Sequence, residues 1–215
     1  MRTSSNPRAG FSLIEVLIAS ILITMIFGAL SAMMQSGTNA FHQGVSSSTA
    51  ESTARRGLDR IAAQFSDSEV AQLQAQVVPT LGASLLTFHR STGAAGGVIT
   101  WGNDNVVQFQ LQASEADDGI DNDGDGLIDE GEVVLIENVG LADQRTTVLC
   151  PNVREYLEGE TPNGLDDNGN GLIDEQGLSF DVVGETLVVR LSVERRNDTG
   201  RRTWRTVETS VWIRN

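Results

Sequence analysis

The chain opens on a long apolar run. Residues Phe11 to Met34 are apolar almost throughout, and as a helix these 24 residues would span about 36 Å at about 1.5 Å per residue. That length is enough to cross the hydrocarbon core of a bilayer with some tilt. The pattern therefore predicts a transmembrane helix over residues 11–36.

A helical stripe follows the apolar run. After Phe41 and Val45 come four residues spaced 4, 3 and 4 apart, which share one face of a helix: Ala54, Leu58, Ile61 and Phe65. The stripe predicts an amphipathic helix over residues 37–66, continuous with the transmembrane helix. Two separate helices are the alternative, because the glycines and serines between residues 37 and 48 have low helix propensity.

The rest of the chain alternates between apolar and polar positions, as half-buried strands do. In Thr186–Arg195 the inward positions are Leu187, Val189, Leu191 and Val193. The run over residues 203–215 follows after RNDTGR, a sequence typical of turns, so the two runs predict a hairpin. Val106–Ala113 alternates as well, with Val107, Phe109 and Leu111 on one face, and shorter candidate strands cover residues 84–90, 97–102, 132–139 and 178–184.

The order of these elements predicts an α+β fold. A long N-terminal helix, half transmembrane and half amphipathic, is expected to pack on an antiparallel β-sheet head over residues 67–215. The chain has 215 residues, 40% of them hydrophobic, which is enough for one sizeable domain and an appendage. With the single cysteine Cys150 no internal disulfide is possible, and we expect a buried free thiol.

The charge of the chain excludes some partners. The formal net charge is −14, and all fifteen basic residues are arginines. A strongly acidic protein repels nucleic acids and anionic lipid surfaces, so we expect neither as a partner of the soluble part.

One carboxylate, Glu15, lies inside the apolar run. Arg2 and Arg8 precede the run, so the N-terminal end is expected to stay cytoplasmic and the remainder to be extracytoplasmic. A secretory signal peptide with cleavage near Ala29–Ser31 and a plain anchor are two interpretations of this pattern. Neither explains Glu15, because an ionisable residue inside a membrane segment is costly and indicates a function.

The sequence around Glu15 resembles the processing site of type IV pilin-like proteins, the pilins and the type II secretion pseudopilins. The matching residues are GFSLIE, Gly10 to Glu15, after the leader MRTSSNPRAG over residues 1–10. In that family a prepilin peptidase cuts after the glycine, here Gly10. The new first residue, here Phe11, is N-methylated, and the fifth mature residue is a glutamate, here Glu15. The final strand, ending TSVWIRN, resembles that of the J-type and W-type minor subunits.

The resemblance implies that Glu15 is an assembly residue. Cleavage would leave a charged amine at Phe11, with a reference pKa of about 8. A lone ammonium and a lone carboxylate are each costly in lipid, and pairing offsets both costs. In the family the amine belongs to a neighbouring subunit. The implied partners are therefore other pilin or pseudopilin subunits, the prepilin peptidase and the inner membrane.

Two acidic loops indicate calcium. The first, over residues 117–132, contains DNDGDGLIDEGE, which matches a twelve-residue calcium loop at its ligand positions 1, 3, 5, 7, 9 and 12: Asp121, Asp123, Asp125, Leu127 through its carbonyl, Asp129 and Glu132. Calcium prefers six to eight oxygen ligands. Zinc would require histidine or cysteine, which this loop lacks.

The second loop, over residues 163–177, is a near copy 45 residues later. Its candidate ligands are Asp166, Asn168, Asn170, Leu172 and Asp174. Position 12 is Gly177, so we expect weaker binding, with Glu175 as a possible substitute. The sequence thus predicts one or two calcium ions in a structural role, and two solvated acidic loops are the alternative.

These observations predict a structural protein. We expect a minor pseudopilin or minor pilin, processed by prepilin peptidase, single-pass in a bacterial inner membrane with its head in the periplasm or outside, incorporated into a filament. The alternative is a membrane-anchored, calcium-dependent binding or adhesion module. No nucleophile elbow, phosphate loop or zinc pair occurs in the sequence, so we expect no enzyme.

Overall fold

The computed structural model describes residues 10, 12–75 and 82–213. Residues 1–9 of the predicted leader, Phe11 of the predicted cleavage site and the last two residues of the predicted final strand lie outside the described residues. The chain consists of two compact units, residues 1–42 and 43–215.

One helix, α1, runs without a break over Leu13–Gln64, which confirms the single long helix. Within the first unit its large apolar side chains are exposed throughout; Leu13, Phe27 and Met33 are examples. The helix is long and apolar enough to cross a membrane. Among the described residues of this unit, the apolar side chains of α1 are thus exposed as those of a membrane-crossing helix would be.

In the second unit, α1 buries the predicted face. Ala54, Leu58 and Ile61 on the helix and Phe65 just after it are all buried, as their spacing predicted. Small residues extend this buried face toward the N-terminus: Ser46, Ala50 and Gly57. Val45, in contrast, is 49% exposed, because it lies one residue off the buried series.

The remaining elements are a short 3₁₀ helix and ten strands in the described residues. The 3₁₀ helix is Val70–Gln72, and the strands are β1 Leu73–Ala75, β2 Leu85–Phe88, β3 Ser91–Ala95, β4 Val98–Trp101, β5 Asn105–Leu111, β6 Gly131–Glu137, β7 Arg145–Val153, β8 Leu178–Val183, β9 Thr186–Arg196 and β10 Arg202–Trp212. β3 and β4 form a small hairpin. The main sheet is antiparallel, in the order β1-β2-β5-β6-β7-β9-β10, with β8 also paired to β9. The α+β prediction is confirmed.

The sheet core follows the predicted alternation in β9. Leu187, Val189, Leu191 and Val193 are all buried, and β9 pairs with β10 from Thr186↔Trp212 to Arg196↔Arg202, which is the predicted hairpin. On β5, Val107 is buried, whereas Phe109 and Leu111 are half-buried. Phe65 packs edge-on against Phe88, with ring centroids 4.9 Å apart.

Gly57 marks a close approach of α1 to the sheet. A Cβ atom at this position would lie 2.7 Å from the Sγ atom of Cys150 and 2.9 Å from a methyl carbon of Leu191. Cys150 is buried as predicted, and burial raises the pKa of its thiol to about 12. The thiol is thus a packing group against the helix, and glycine is the residue that the contact accommodates.

Gly57→Ala is therefore expected to destabilise the head by about 1–3 kcal/mol, the usual range for an overpacked core. Gly44→Ala on the same helix is the matched control, since its Cβ would meet no described atom within 4 Å, and it should stabilise by about 0.5–1 kcal/mol. Thermal unfolding followed by tryptophan fluorescence of the detergent-solubilised chain measures both. Equal effects of the two substitutions would contradict the close packing.

Candidate functional site

The start of α1 is fixed by Ser12 and Glu15. The Ser12 backbone N–H donates to Oε2 of Glu15 at 3.1 Å, and the Glu15 N–H donates to the Ser12 hydroxyl at 3.3 Å. This reciprocal pair is a capping box, which satisfies two backbone donors at the helix N-terminus. The sequence prediction missed this local role, although the spacing of serine and glutamate by three residues would have indicated it.

The carboxylate of Glu15 thus lies in the first turn of the helix, where the positive end of the helix dipole stabilises a negative charge. The side chain is exposed in the described structure. Gly10 is exposed as well, and Phe11 lies outside the described residues. The prediction that Glu15 pairs with a neighbouring amine is untested and stays a prediction.

The first acidic loop connects two paired strands of the main sheet. β5 ends at Leu111, opposite Gly131, where β6 begins. One step further, the Gln112 N–H donates to the carbonyl oxygen of Glu130 at 3.2 Å. The two ends of the loop are therefore held together by the sheet, and its acidic residues are confined to a closed segment.

Carboxylates organise the turns of the first loop. Asp121 accepts N–H donors from Gly124 at 2.6 Å and Gly126 at 2.9 Å. Asp123 accepts from the Asp125 N–H at 3.0 Å, and Asp125 from the Leu127 N–H at 2.8 Å. Each carboxylate retains lone pairs beyond the backbone bond that it accepts. The loop therefore holds several carboxylate oxygens, the ligand type that a hard cation prefers, in fixed positions along the turns.

Two overlapping groups of carboxylates result. Oxygen atoms of Glu115, Asp121 and Asp123 lie within 4.8 Å of one another, and so do oxygen atoms of Asp123, Asp125 and Glu130. Of the predicted ligands, the structure thus brings together the carboxylates of Asp121, Asp123 and Asp125. Glu115 and Glu130 join them, and neither was predicted.

The two remaining predicted carboxylates have other contacts. Asp129, with a φ of 51°, accepts backbone N–H donors from Asp118 at 3.3 Å and Gly119 at 2.8 Å. Glu132 lies in β6, opposite Gln110, whose amide donates to it at 2.9 Å. The structure therefore places Glu132 in the sheet ladder.

The second acidic loop has the same internal bonds. Asp166 accepts from Gly169 at 2.6 Å and from Gly171 at 2.9 Å. Asn168 accepts from the Asn170 N–H at 3.0 Å, and Asn170 from the Leu172 N–H at 2.9 Å. Asp174 accepts from Asn163 at 3.1 Å and Gly164 at 2.8 Å. The side-chain amide of Asn170 also donates to Glu175, so Glu175 reaches the same loop.

Burial shifts the titration of the loop carboxylates. It raises the pKa of Glu130 to about 7, and the negative charges of Asp125, Glu115 and Asp123 add to the shift. Burial also raises the pKa of Glu175, with the amide of Asn170 opposing the shift and the charge of Glu160 adding to it. Both glutamates are thus costly to ionise without a nearby positive charge.

A third group combines Asp117, Asp129 and Glu155, with oxygen atoms within 4.8 Å of one another. Burial raises the pKa of Glu155 here as well. Asp129, the buried member, already uses both of its oxygens to hold the Asp118–Gly119 turn. Asp121 in the first loop likewise accepts backbone N–H donors on both of its oxygens, so these hydrogen bonds do not rank the three groups.

Comparison with family models identifies the N-terminal segment. Residues 5–31 match the model of the prokaryotic N-terminal methylation motif. Comparison with curated proteins and with solved structures gives no match. The match covers the start of the chain, and α1, which begins inside the motif at Leu13, is long and apolar enough to cross a membrane.

Proposed function

We propose that the chain is a minor pseudopilin of a type II secretion system or a minor subunit of a type IV pilus. The observation that carries this proposal is the methylation motif at residues 5–31, which overlaps the start of α1, a helix able to cross a membrane. The chain would be inserted in the inner membrane of a bacterium, with its head in the periplasm or outside, and would join a filament through its N-terminal helix.

The head of this subunit would be stabilised by calcium. The support for calcium is the convergence of loop carboxylates in a segment that the sheet closes at both ends. Such dense negative charge destabilises a folded loop, and a divalent cation would neutralise it. Extracytoplasmic sites of this kind bind calcium with dissociation constants of about 10⁻⁴–10⁻³ M.

Mass spectrometry of the mature N-terminus tests the proposed processing. The protein purified from its host membrane should begin at an N-methylated Phe11, since cleavage follows Gly10. The matched variant Gly10→Ala, which alters only the residue before the cut, should accumulate with the leader attached. A mature protein that starts after Ser31 would show signal-peptide cleavage and contradict the proposal.

A further inference from the structure

We propose that the head holds two calcium ions in two equivalent cages, each closed by a buried glutamate, Glu130 in the first loop and Glu175 in the second. The proposal rests on the calcium part of the proposed function and is independent of the filament to which the subunit belongs. It assigns a full ligand set to the second loop, which lacks a glutamate at position 12 of the twelve-residue pattern.

The repeated unit has sixteen residues, EADDGIDNDGDGLIDE over 115–130 and ETPNGLDDNGNGLIDE over 160–175. Each unit begins and ends with a glutamate, and the offset of 45 residues holds at every position. The paired ligand positions are Glu115 and Glu160, Asp121 and Asp166, Asp123 and Asn168, Asp125 and Asn170, Leu127 and Leu172, and Glu130 and Glu175. In this frame the closing glutamate is present in both loops.

The two units also have the same backbone conformation. The φ angles are 81° and 76° at Gly124 and Gly169, and 90° and 89° at Gly126 and Gly171. Asp129 and Asp174, which are not glycines, have φ angles of 51° and 50°. Two segments of one chain that share positive φ angles at the same offset have folded as copies of one motif.

The hydrogen bonds that join the two ends of each repeated unit are equivalent as well. The Gln112 N–H donates to the Glu130 carbonyl at 3.2 Å, and the Leu157 N–H donates to the Glu175 carbonyl at 3.0 Å. The first glutamate of each unit accepts an N–H at 3.0 Å, from Asp123 to Glu115 and from Asn168 to Glu160. Each cage is therefore closed at its neck by the chain that enters and leaves it.

Unpartnered buried oxygens point to the ions. Glu130 is 1% exposed, and neither of its carboxylate oxygens has a hydrogen-bond partner among the described residues. Glu175 is 0% exposed and Glu160 is 4% exposed, and Oε2 of each is likewise unpartnered within the described part of the chain. An ionised carboxylate that is buried without a partner is strongly unfavourable. A cation in each loop would be the partner of these oxygens.

The carboxylates of Glu130 and Glu175 lie beside the other candidate ligands of their loops, as calcium ligands would. Glu130 lies with Asp123 and Asp125 in one group of oxygen atoms, and Glu175 accepts from Asn170, the equivalent of Asp125. Glu132, in contrast, belongs to β6 and accepts from Gln110. The sheet register therefore favours Glu130 as the ligand that closes the first cage.

The two cages differ in the charge of their ligands and in how closely their carboxylates converge: among the described residues, groups of three carboxylates with oxygen atoms within 4.8 Å of one another occur in the first loop and not in the second. Side chains supply five carboxylates to the first cage: Glu115, Asp121, Asp123, Asp125 and Glu130. The second has three carboxylates, of Glu160, Asp166 and Glu175, and two asparagine amides. Amide oxygens still coordinate calcium, but a site with fewer negatively charged ligands binds calcium more weakly. The first site should therefore bind calcium more tightly than the second, by about tenfold or more.

Calcium titration of the full chain in detergent, by calorimetry and equilibrium dialysis, tests the proposal. The wild-type chain should bind two ions of different affinity. Glu130→Gln should weaken the tighter site by about tenfold or more, and Glu175→Gln the weaker site. Glu132→Gln is the matched control, since it makes the same chemical change two residues along the chain and should leave both sites unchanged.

The outcomes of this experiment distinguish failure of calcium binding, which belongs to the proposed function, from failure of the repeated cage. A wild-type chain that binds no calcium would overturn the calcium part of the proposed function as well. One wild-type ion, or an effect of Glu132→Gln in place of Glu130→Gln, would overturn the repeated cage alone. The ion that each single variant still binds shows that its head is folded, and the wild-type stoichiometry decides between one cage and two even if a variant does not fold.

Discussion

Removing calcium from the full-length chain is expected to lower the unfolding temperature of its head by about 4–7 °C. At about 1 mM calcium, a site with a dissociation constant of about 10⁻⁴ M adds about 1.4 kcal/mol to stability, and a second site that binds tenfold more weakly adds about 0.4 kcal/mol. For a head of this size 1 kcal/mol corresponds to about 2–4 °C. Tryptophan fluorescence measures the change, since Trp101, Trp204 and Trp212 all lie in the head.

The controls for this experiment separate coordination from general charge effects. Magnesium at the same concentration should stabilise far less, because it gives up its water reluctantly and demands a stricter geometry. Asp121→Ala combined with Asp123→Ala should remove the gain of the first site. Asp59→Ala combined with Asp67→Ala removes the same charge from exposed positions outside the loops and should keep the full gain. A head that unfolds at one temperature in calcium and in EDTA would contradict the prediction.

The elements that the sequence predicted are those with strong local periodicity. The face of α1 through Leu58 and Ile61 repeats at the helical period, and the inward residues of β9 repeat at two, so each pattern identifies its element without tertiary information. β3, with the sequence STGAA and every residue exposed, has no such alternation and was not predicted.

β7 was missed for a different reason. Pro151 lies inside this strand, and a proline ordinarily argues against a strand because it cannot donate to the ladder. The register between β6 and β7 shifts here: Gly131 pairs with Val153 and Val133 with Cys150. A bulge of this kind accommodates the proline, and it depends on a partner strand that the local sequence does not show.

In the acidic loops, some features follow from the local sequence and others depend on the pairing of distant strands. The turns through Asp121, Asp123 and Asp125 are local, and the twelve-residue calcium-loop pattern therefore predicted these residues. Where the first loop ends depends on the pairing of β5 with β6, which assigns Glu132 to the ladder opposite Gln110. That register is non-local, whereas the equivalence of Glu130 and Glu175 could have been read directly from the two copies in the sequence.

Replacing Glu15 is expected to reduce incorporation of the subunit into its filament by about 100-fold or more. If the carboxylate pairs with the amine of Phe11 on a neighbouring subunit, its loss leaves an unpaired ammonium in lipid. Breaking a buried ion pair costs about 3–5 kcal/mol, and about 1.4 kcal/mol corresponds to a tenfold change in association. Quantitative immunoblotting of sheared filaments against the membrane pool measures incorporation, and mass spectrometry confirms that cleavage after Gly10 still occurs.

The capping box at the start of α1 provides the matched control. Glu15 accepts from the Ser12 N–H at 3.1 Å, so Glu15→Ala removes a helix cap together with the charge, at a cost of about 0.5–2 kcal/mol. Glu15→Gln keeps an oxygen that can accept the same bond and removes only the charge. If charge pairing drives assembly, both variants should fail, and Glu15→Ala at least as severely as Glu15→Gln. If Glu15→Gln assembles normally and Glu15→Ala does not, the residue acts through the helix start, and the charge-pairing interpretation is wrong.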